Sequence, residues 1–207
     1  MPKIGEPSHG RPSDILLFAQ STDLESDARP IAEVPGETLA SAARTGRIVA
    51  RLGAERFPVY GRNVYESSRI DAFLDASLVF ARDGQIYLLA LSNGEMSSDL
   101  YSRMKGSFAA YLSGIEQALA PQRGFLVGDN VTLADVCFVS ELCLFHNERA
   151  RISALKTGGF SILLDNEFVK SFPRSAAHFR RLLGHPAFVP DVAGYLEKIE
   201  RNELDVR

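Results

Sequence analysis

The chain has 207 residues, 45 % hydrophobic and 24 % charged, a composition that is ordinary for a globular protein and argues against disorder. Its 23 Lys and Arg against 26 Asp and Glu give a formal net charge of −3, which disfavours nucleic acid as the main ligand. No apolar run reaches the roughly 18–20 residues that span a bilayer and no secretory signal begins the chain, so we expect a soluble, cytoplasmic protein without membrane contact.

The cysteines and histidines show no spacing that is typical of a metal site. Cys137 and Cys143 lie within one apolar run, and the 4 histidines form no His-x-x-x-His pair. We expect two free thiols in a reducing compartment, and neither a metal nor a resident cofactor.

The N-terminal part begins with a polar arm over residues 1–13. The apolar run at 14–19 is bounded by polar residues and predicts a strand, and residues 20–33 indicate a loop. From Leu39 to Gly53, apolar residues recur at helical spacing and predict a helix.

One face of this helix carries three arginines. Arg44, Arg47 and Arg51 follow the i, i+3, i+7 spacing that places side chains on one helix face. We interpret this stripe as a solvated face rather than as an anion site.

A Pro/Gly/Asn-rich link at 57–63 marks our predicted domain boundary. After it, the pattern predicts a long helix at 65–82, an interruption at Asp83-Gly84 and a continuation up to Asn93-Gly94. A second long helix at about 96–120 follows, and the short connection makes the two helices antiparallel neighbours.

The strongest local signal is the start of the next helix. Thr132 and Asp135 have the spacing of a capping box, in which each side chain bonds to the backbone of the other. Val131 and Val136 can pack across it as a hydrophobic staple. The run from Thr132 to about Phe145 is apolar nearly all round, which predicts a central helix covered by its neighbours.

The C-terminal third contains shorter elements. Short helices are expected on either side of Gly158-Gly159. Phe172-Pro173 starts a helix over 174–184, and a last short helix spans 190–199.

Several of these segments together are similar to one family. Phe125-Leu-Val-Gly-Asp, Thr132-Leu-Ala-Asp, Phe172-Pro173 and His185-Pro186-Ala-Phe188 resemble the all-helical second domain of the glutathione S-transferase superfamily. The resemblance is best over about 65–200.

The resemblance implies a fold with two unequal parts. The fold class is α+β and predominantly helical, with a small thioredoxin-like part at 14–60 and an all-α GST C-terminal-type helical domain at 64–207. The first part is short for a thioredoxin-like domain.

The resemblance also implies where glutathione would bind. The family uses a Ser, Tyr or Cys after the first strand, a residue before a cis-proline, and a Glu/Gln-Ser pair at a helix start. The catalytic residue is unknown, with Ser21, or the neighbouring Thr22, as the candidate. In one register Val34-Pro35 and Arg44-Thr45 take the substrate-binding positions, and Thr45 would offer a hydroxyl and a helix N-terminal amide to a carboxylate.

In a second register, Phe57-Pro58 and Glu66-Ser67 take those roles. We favour the first register, because its spacing into the long helices fits better. There Arg44 replaces the acid or amide that the family places on glutathione.

Two functions follow from the resemblance. We favour a GST-like protein with weak or lost catalysis that acts through homodimerisation or a protein partner, as in translation elongation factor 1 gamma and the auxiliary proteins of aminoacyl-tRNA synthetase complexes. The alternative is an active transferase that conjugates glutathione, its co-substrate, to hydrophobic electrophiles. Its apolar pocket would include Tyr101, Met104 and Phe108, which we interpret first as core.

Overall fold

The computed structural model describes residues 36–54, 58–120 and 123–200, and every regular element in these ranges is helical. The helices are α1 (Gly36–Ala54), α2 (Val64–Asn93), α3 (Ser98–Ala118), α4 (Leu133–Phe145), α5 (Ile152–Thr157), α6 (Asn166–Ser171), α7 (Pro173–Leu183) and α8 (Val189–Glu200). A 3₁₀ segment, His146–Arg151, joins α4 to α5. The predominantly helical fold class is confirmed.

The expected strand of the first part lies outside the described residues. The same holds for the arm at 1–13 and for Ser21, Val34 and Pro35. The thioredoxin-like assignment of 14–60 therefore stays a prediction.

Helix α2 is unbroken, so the predicted interruption at Asp83-Gly84 is wrong. Both residues are buried, and the Asp83 carboxylate accepts a hydrogen bond from Arg103 Nη2 at 2.7 Å. Gly84 faces the Phe145 ring, and a Cβ built on it would lie 3.7 Å from that ring, an ordinary contact distance. Packing offsets the roughly 1 kcal/mol by which glycine disfavours a helix interior.

Helices α2 and α3 are the antiparallel neighbours that the sequence predicts. Phe80 stacks on Tyr111 with 4.7 Å between ring centres, whereas Tyr87, further along α2, lies 6.5 Å from the earlier residue Tyr101. Helix α2 ends at Gly94, whose φ of 71° is the left-handed conformation that favours glycine.

Helix α4 lies at the centre of the bundle and packs against α1, α2, α7 and α8. Most of its residues are buried, as its apolar sequence predicts. Cys137 and Cys143 on this helix are free, and burial raises the pKa of both thiols to about 12. Neither thiol is therefore set up as a nucleophile.

The predicted capping box at the start of α4 is confirmed. Asp135 is fully buried, and its carboxylate accepts the backbone N–H of Thr132 at 2.9 Å and the Thr132 hydroxyl at 3.0 Å. It also accepts the N–H of Leu126 at 3.1 Å and lies 2.8 Å from His178 Nε2. Val131 and Val136 beside it are buried.

The shorter C-terminal elements also follow the sequence. Helices α5 and α6 flank the turn at Gly158-Gly159, and α7 begins at Pro173. No described helix combines the length and apolar character that a membrane-spanning segment needs.

Candidate functional site

Arg44 and Thr45 lie in the middle of α1, because this helix begins at Gly36. The expectation that Thr45 presents a helix N-terminal amide is therefore wrong for the helix as it stands. Amides beyond the first turn bond to carbonyls within the helix. Only the side chains of these two residues are available for contacts.

Both side chains point into the bundle. The Thr45 hydroxyl donates to Ser140 Oγ on α4 at 2.9 Å. Arg44 is only 3 % exposed, and its guanidinium lies 3.9 Å from the centre of the Tyr195 ring on α8. Near it, burial raises the pKa of Glu141 to about 7, although the charge of Arg44 acts in the opposite direction.

The interpretation of the α1 arginine stripe as a solvated face is wrong in part, because Arg44 is buried and Arg51 is partly buried, while the Arg47 side chain is 56 % exposed. Arg47 and Arg51 both bond to the carboxylate of Asp191 on α8, and Arg51 Nε also donates to the carbonyl of Ala187 at 2.8 Å. Burial alone would raise the pKa of Asp191, but the two guanidinium groups hold it below its usual value. Helix α1 is sandwiched between α4 and α8, and the spacing of the arginines alone does not reveal the second neighbour.

The residue pair of the second register is also engaged. The Glu66 carboxylate accepts the N–H of Arg62 at 2.7 Å, and Ser67 Oγ donates to the carbonyl of Tyr60 at 2.9 Å. These bonds fasten the link to the start of α2. Pro58 is described, whereas Phe57 is not.

The residues considered for an electrophile pocket belong to the core. Met104 is fully buried and Phe108 is 5 % exposed. Tyr101 is partly buried, stacks on Phe160 with 4.7 Å between ring centres, and donates its hydroxyl to the carbonyl of Ser161 at 2.9 Å. The core interpretation of these three side chains is confirmed.

A buried carboxylate that the sequence did not reveal anchors the segment after α5. Glu148 is 0 % exposed and accepts the N–H groups of Leu163 and Leu164 at 3.0 and 2.5 Å. The Tyr87 hydroxyl donates to it at 3.1 Å. Burial raises the pKa of Glu148 to about 7, although these three donors favour the ionised form.

A small surface cavity, open to solvent, lies between the end of α3 and α7, where the sequence predicted no site. Its volume is about 270 Å³, and Arg123, Arg174, His178 and Arg181 contribute to its walls. The signal that could have found it is the recurrence of basic residues at helical spacing along α7. Among the described residues, no three His, Cys, Asp or Glu side chains are grouped to hold a metal ion.

One family model matches the helical part of the chain. Residues 84–186 match the family model described as glutathione S-transferase, C-terminal domain. No curated protein matches the chain.

Two solved structures are similar at low sequence identity. The structure of NaGST-2 is 21 % identical, with 69 % of this chain and 63 % of that chain covered and a TM-score of 0.47. Monomeric Na-GST-3, a glutathione S-transferase from the hookworm Necator americanus, is 22 % identical, with coverage of 70 % and 65 % and a TM-score of 0.45. The chain thus spans less than two thirds of the length of either protein. Residues 84–186 therefore form a domain of the glutathione S-transferase C-terminal domain family.

Proposed function

We propose that this chain is a GST-fold protein whose glutathione chemistry is weak or lost and which works through self-association. The membership of its helical domain in the superfamily supports the GST-like part of this proposal. The middle of α1 supports the weak or lost glutathione chemistry, and the exposed face of α2 supports the self-association.

The inward engagement of Arg44 and Thr45 carries the proposal. In the favoured register these residues stand where the family grips the γ-glutamyl end of glutathione. A ligand there would need a free hydroxyl and a free acid or amide. The Thr45 hydroxyl is already bonded to Ser140, and Arg44 is buried against Tyr195. Releasing either group for a ligand would cost helix packing, which disfavours glutathione as a ligand.

The exposed face of α2 supports self-association. Four large apolar side chains along it are 41–69 % exposed: Leu78, Val79, Ile86 and Leu89. At about 100° per residue they lie on the same side of the helix as Asp75 and Arg82. Such an apolar stripe on a helix surface is typical of a contact region.

The occupant that we propose for this face is a second copy of the chain. If two α2 helices pack antiparallel about a two-fold axis between Leu78 and Val79, Asp75 lies opposite Arg82 of the partner subunit. The symmetry repeats this ion pair on both sides of the apolar centre, so the face is complementary to itself. Asp75 and Arg82 are both exposed. Arg82 already contacts the Asp83 carboxylate, but only at 3.3 Å, so the dimer would add a second acidic partner to it.

The glutathione part is tested with the full chain. We expect no retention on immobilised glutathione and no turnover with a chloronitroaromatic acceptor. A bona fide transferase measured alongside provides the positive control. Retention together with turnover would overturn this part and establish the alternative, an active transferase.

The self-association part is tested by the mass of the chain in solution. We expect a dimer in sedimentation equilibrium, and we expect Leu78→Glu to convert it to a monomer. Val169→Glu, on α6 at 41 % exposure, is the matched control and should remain dimeric. Asp75→Arg should weaken the dimer, and adding Arg82→Asp should restore it. A wild-type chain that is monomeric at all concentrations would contradict this part.

A further inference from the structure

The cavity between α3 and α7 has a basic lining. Its walls consist of Leu119, Arg123, Arg174, Ala177, His178 and Arg181, with no acidic side chain among the described residues that line it. The last four follow an i, i+3, i+4, i+7 spacing along α7 and therefore share one face of that helix. Two arginines and a histidine of α7, with Arg123 opposite, surround the same small volume.

Arg181 is held in place by its neighbours. Its Nη2 donates to His178 Nδ1 at 2.8 Å, and its guanidinium lies 5.0 Å from the centre of the Phe125 ring. Because arginine can only donate, Nδ1 must accept, so the ring proton is on Nε2 and is donated to Asp135 at 2.8 Å. His178 Nδ1 thus orients Arg181, and no carboxylate of the described residues contacts the Arg181 guanidinium directly.

The other two arginines leave positive charge in excess. Arg174 Nη1 lies 3.3 Å from Glu116 Oε1, but the other Glu116 oxygen already accepts the N–H and the hydroxyl of Ser175 at 2.8 and 2.9 Å. Arg123 is exposed and has no acidic partner among the residues that the structure describes. Three guanidinium groups therefore lie near two carboxylates, Glu116 beside Arg174 and Asp135 behind His178, in a chain whose formal net charge is −3.

We propose that this cavity binds an oxyanion, a phosphate or a carboxylate, that is attached to a small apolar group. Planar guanidinium groups match both oxyanions through paired N–H donors. Leu119 and Ala177 supply the apolar part of the lining. The cavity is open to solvent, and its volume of about 270 Å³ lies just below the roughly 300–1,000 Å³ of pockets for drug-sized ligands, so it can cover only a small group. The site involves neither Arg44 nor the face of α2, and it is independent of the function proposed above.

Calorimetric titration of the full chain tests the proposal. Phenyl phosphate and benzoate are the two probes, and inorganic phosphate and phenol supply the anionic and the apolar half alone. We expect at least one probe to bind at least fivefold more tightly than either half. Its affinity should fall as the salt concentration rises from about 50 to about 200 mM, because salt screens the attraction between the arginines and the anion. The better probe identifies the oxyanion. If phenol binds as well as both probes, the proposal is overturned.

Three variants locate the binding. Arg123→Gln and Arg181→Gln should each weaken the better probe at least fivefold. Arg180→Gln is the matched control, because Arg180 is exposed on the same helix but does not line the cavity; we expect a change below twofold. Arg123 makes no contact on which the fold depends in the described structure, so this variant remains informative if Arg181→Gln unfolds. If Arg180→Gln weakens the binding of the probe as much as Arg123→Gln does, the affinity depends on the overall positive charge and not on this cavity. That result would overturn the proposed site.

Discussion

The start of α4 and the basic face of α1 are both polar regions that bond to other parts of the chain, but they differ in how their contacts are distributed along the sequence. At the start of α4, Asp135 bonds to backbone groups 3 and 9 residues away. On α1, Arg51 bonds to Asp191, 140 residues away. The first contact is specified by its own segment, whereas the second exists only once α8 has packed against α1.

This difference explains why one region was predicted and the other was misinterpreted. In a capping box, both bonding partners are part of one short sequence pattern, so the pattern itself predicts the contact. A stripe of arginines has the same spacing whether it faces water or a carboxylate on another helix. The two kinds of contact should also differ in how much stability they contribute.

The largest effect is expected at the start of α4. We expect Asp135→Ala to lower the free energy of unfolding by about 4 kcal/mol, because buried N–H groups and the Thr132 hydroxyl lose their acceptor. Urea denaturation followed by circular dichroism measures it. Asp99→Ala, an exposed acid in the first turn of α3, is the control, for which we expect about 0.5 kcal/mol at most. Equal losses in the two variants would remove the distinction between the buried and the exposed helix start.

Glu148 combines nearer and more distant contacts in the sequence. It accepts the N–H of Leu163, 15 residues away, and the hydroxyl of Tyr87, 61 residues away. Its pKa is raised from 4.5 to about 7 by burial. Between these values the folded chain holds a proton that the unfolded chain has released, so stability falls as pH rises.

The measurement compares wild type with Glu148→Gln in urea denaturation at pH values from 4 to 8. We expect the stability of wild type relative to the variant to be greatest below pH 4.5 and to decrease as pH rises through about 7. The total decrease should be on the order of 3 kcal/mol. A difference that does not change with pH would show that the three donors, rather than burial, set the ionisation of this carboxyl.

The contact between α1 and α8 should contribute less. Asp191→Ala leaves Arg47 and Arg51 without their shared acceptor, but both guanidinium groups can turn to water, since their side chains are 56 % and 32 % exposed. We expect a loss of about 2 kcal/mol, between the values of exposed and buried ion pairs. Glu167→Ala breaks the exposed pair with Lys170 and should change nothing measurable. A negligible effect of Asp191→Ala would return the arginine stripe to its first interpretation as a solvated face.

The same distinction separates what the sequence could and could not predict elsewhere. Helix ends at Gly94 and Pro173 were predictable, because the residues at these ends determine the local backbone. The course of α2 through Gly84 was not, because its stability there comes from Phe145 and Arg103 on other elements.

Both polar clusters that the sequence did not reveal are assembled from distant segments. The donors to Glu148 are mainly backbone N–H groups. Every residue except proline has such a group, so no side-chain pattern in the sequence marks the partners of this carboxylate. The basic cavity forms only where the end of α3 packs against α7. In the sequence, the helical spacing of Arg174 and Arg181 is the one sign of it, because this spacing places both side chains on one face. A pattern on one helix shows which residues share a face, but the identity of the opposing surface comes from the fold.

The smallest effect concerns Thr45, where the comparison bears on function. We expect Thr45→Val to lower the free energy of unfolding by about 1 kcal/mol, the typical contribution of one hydrogen bond. Ser140→Ala should cost a similar amount, and the double variant should cost less than the sum because the two hydroxyls share one bond. Thr157→Val removes an exposed hydroxyl that bonds to the carbonyl of Ser153 and serves as the control. If Thr45 serves packing, the chain should respond to glutathione in a thermal shift assay as weakly after Thr45→Val as before. A thermal shift with glutathione that is present in wild type and abolished by Thr45→Val would instead make this hydroxyl part of a glutathione site. That result would contradict the proposal that glutathione chemistry is weak or lost.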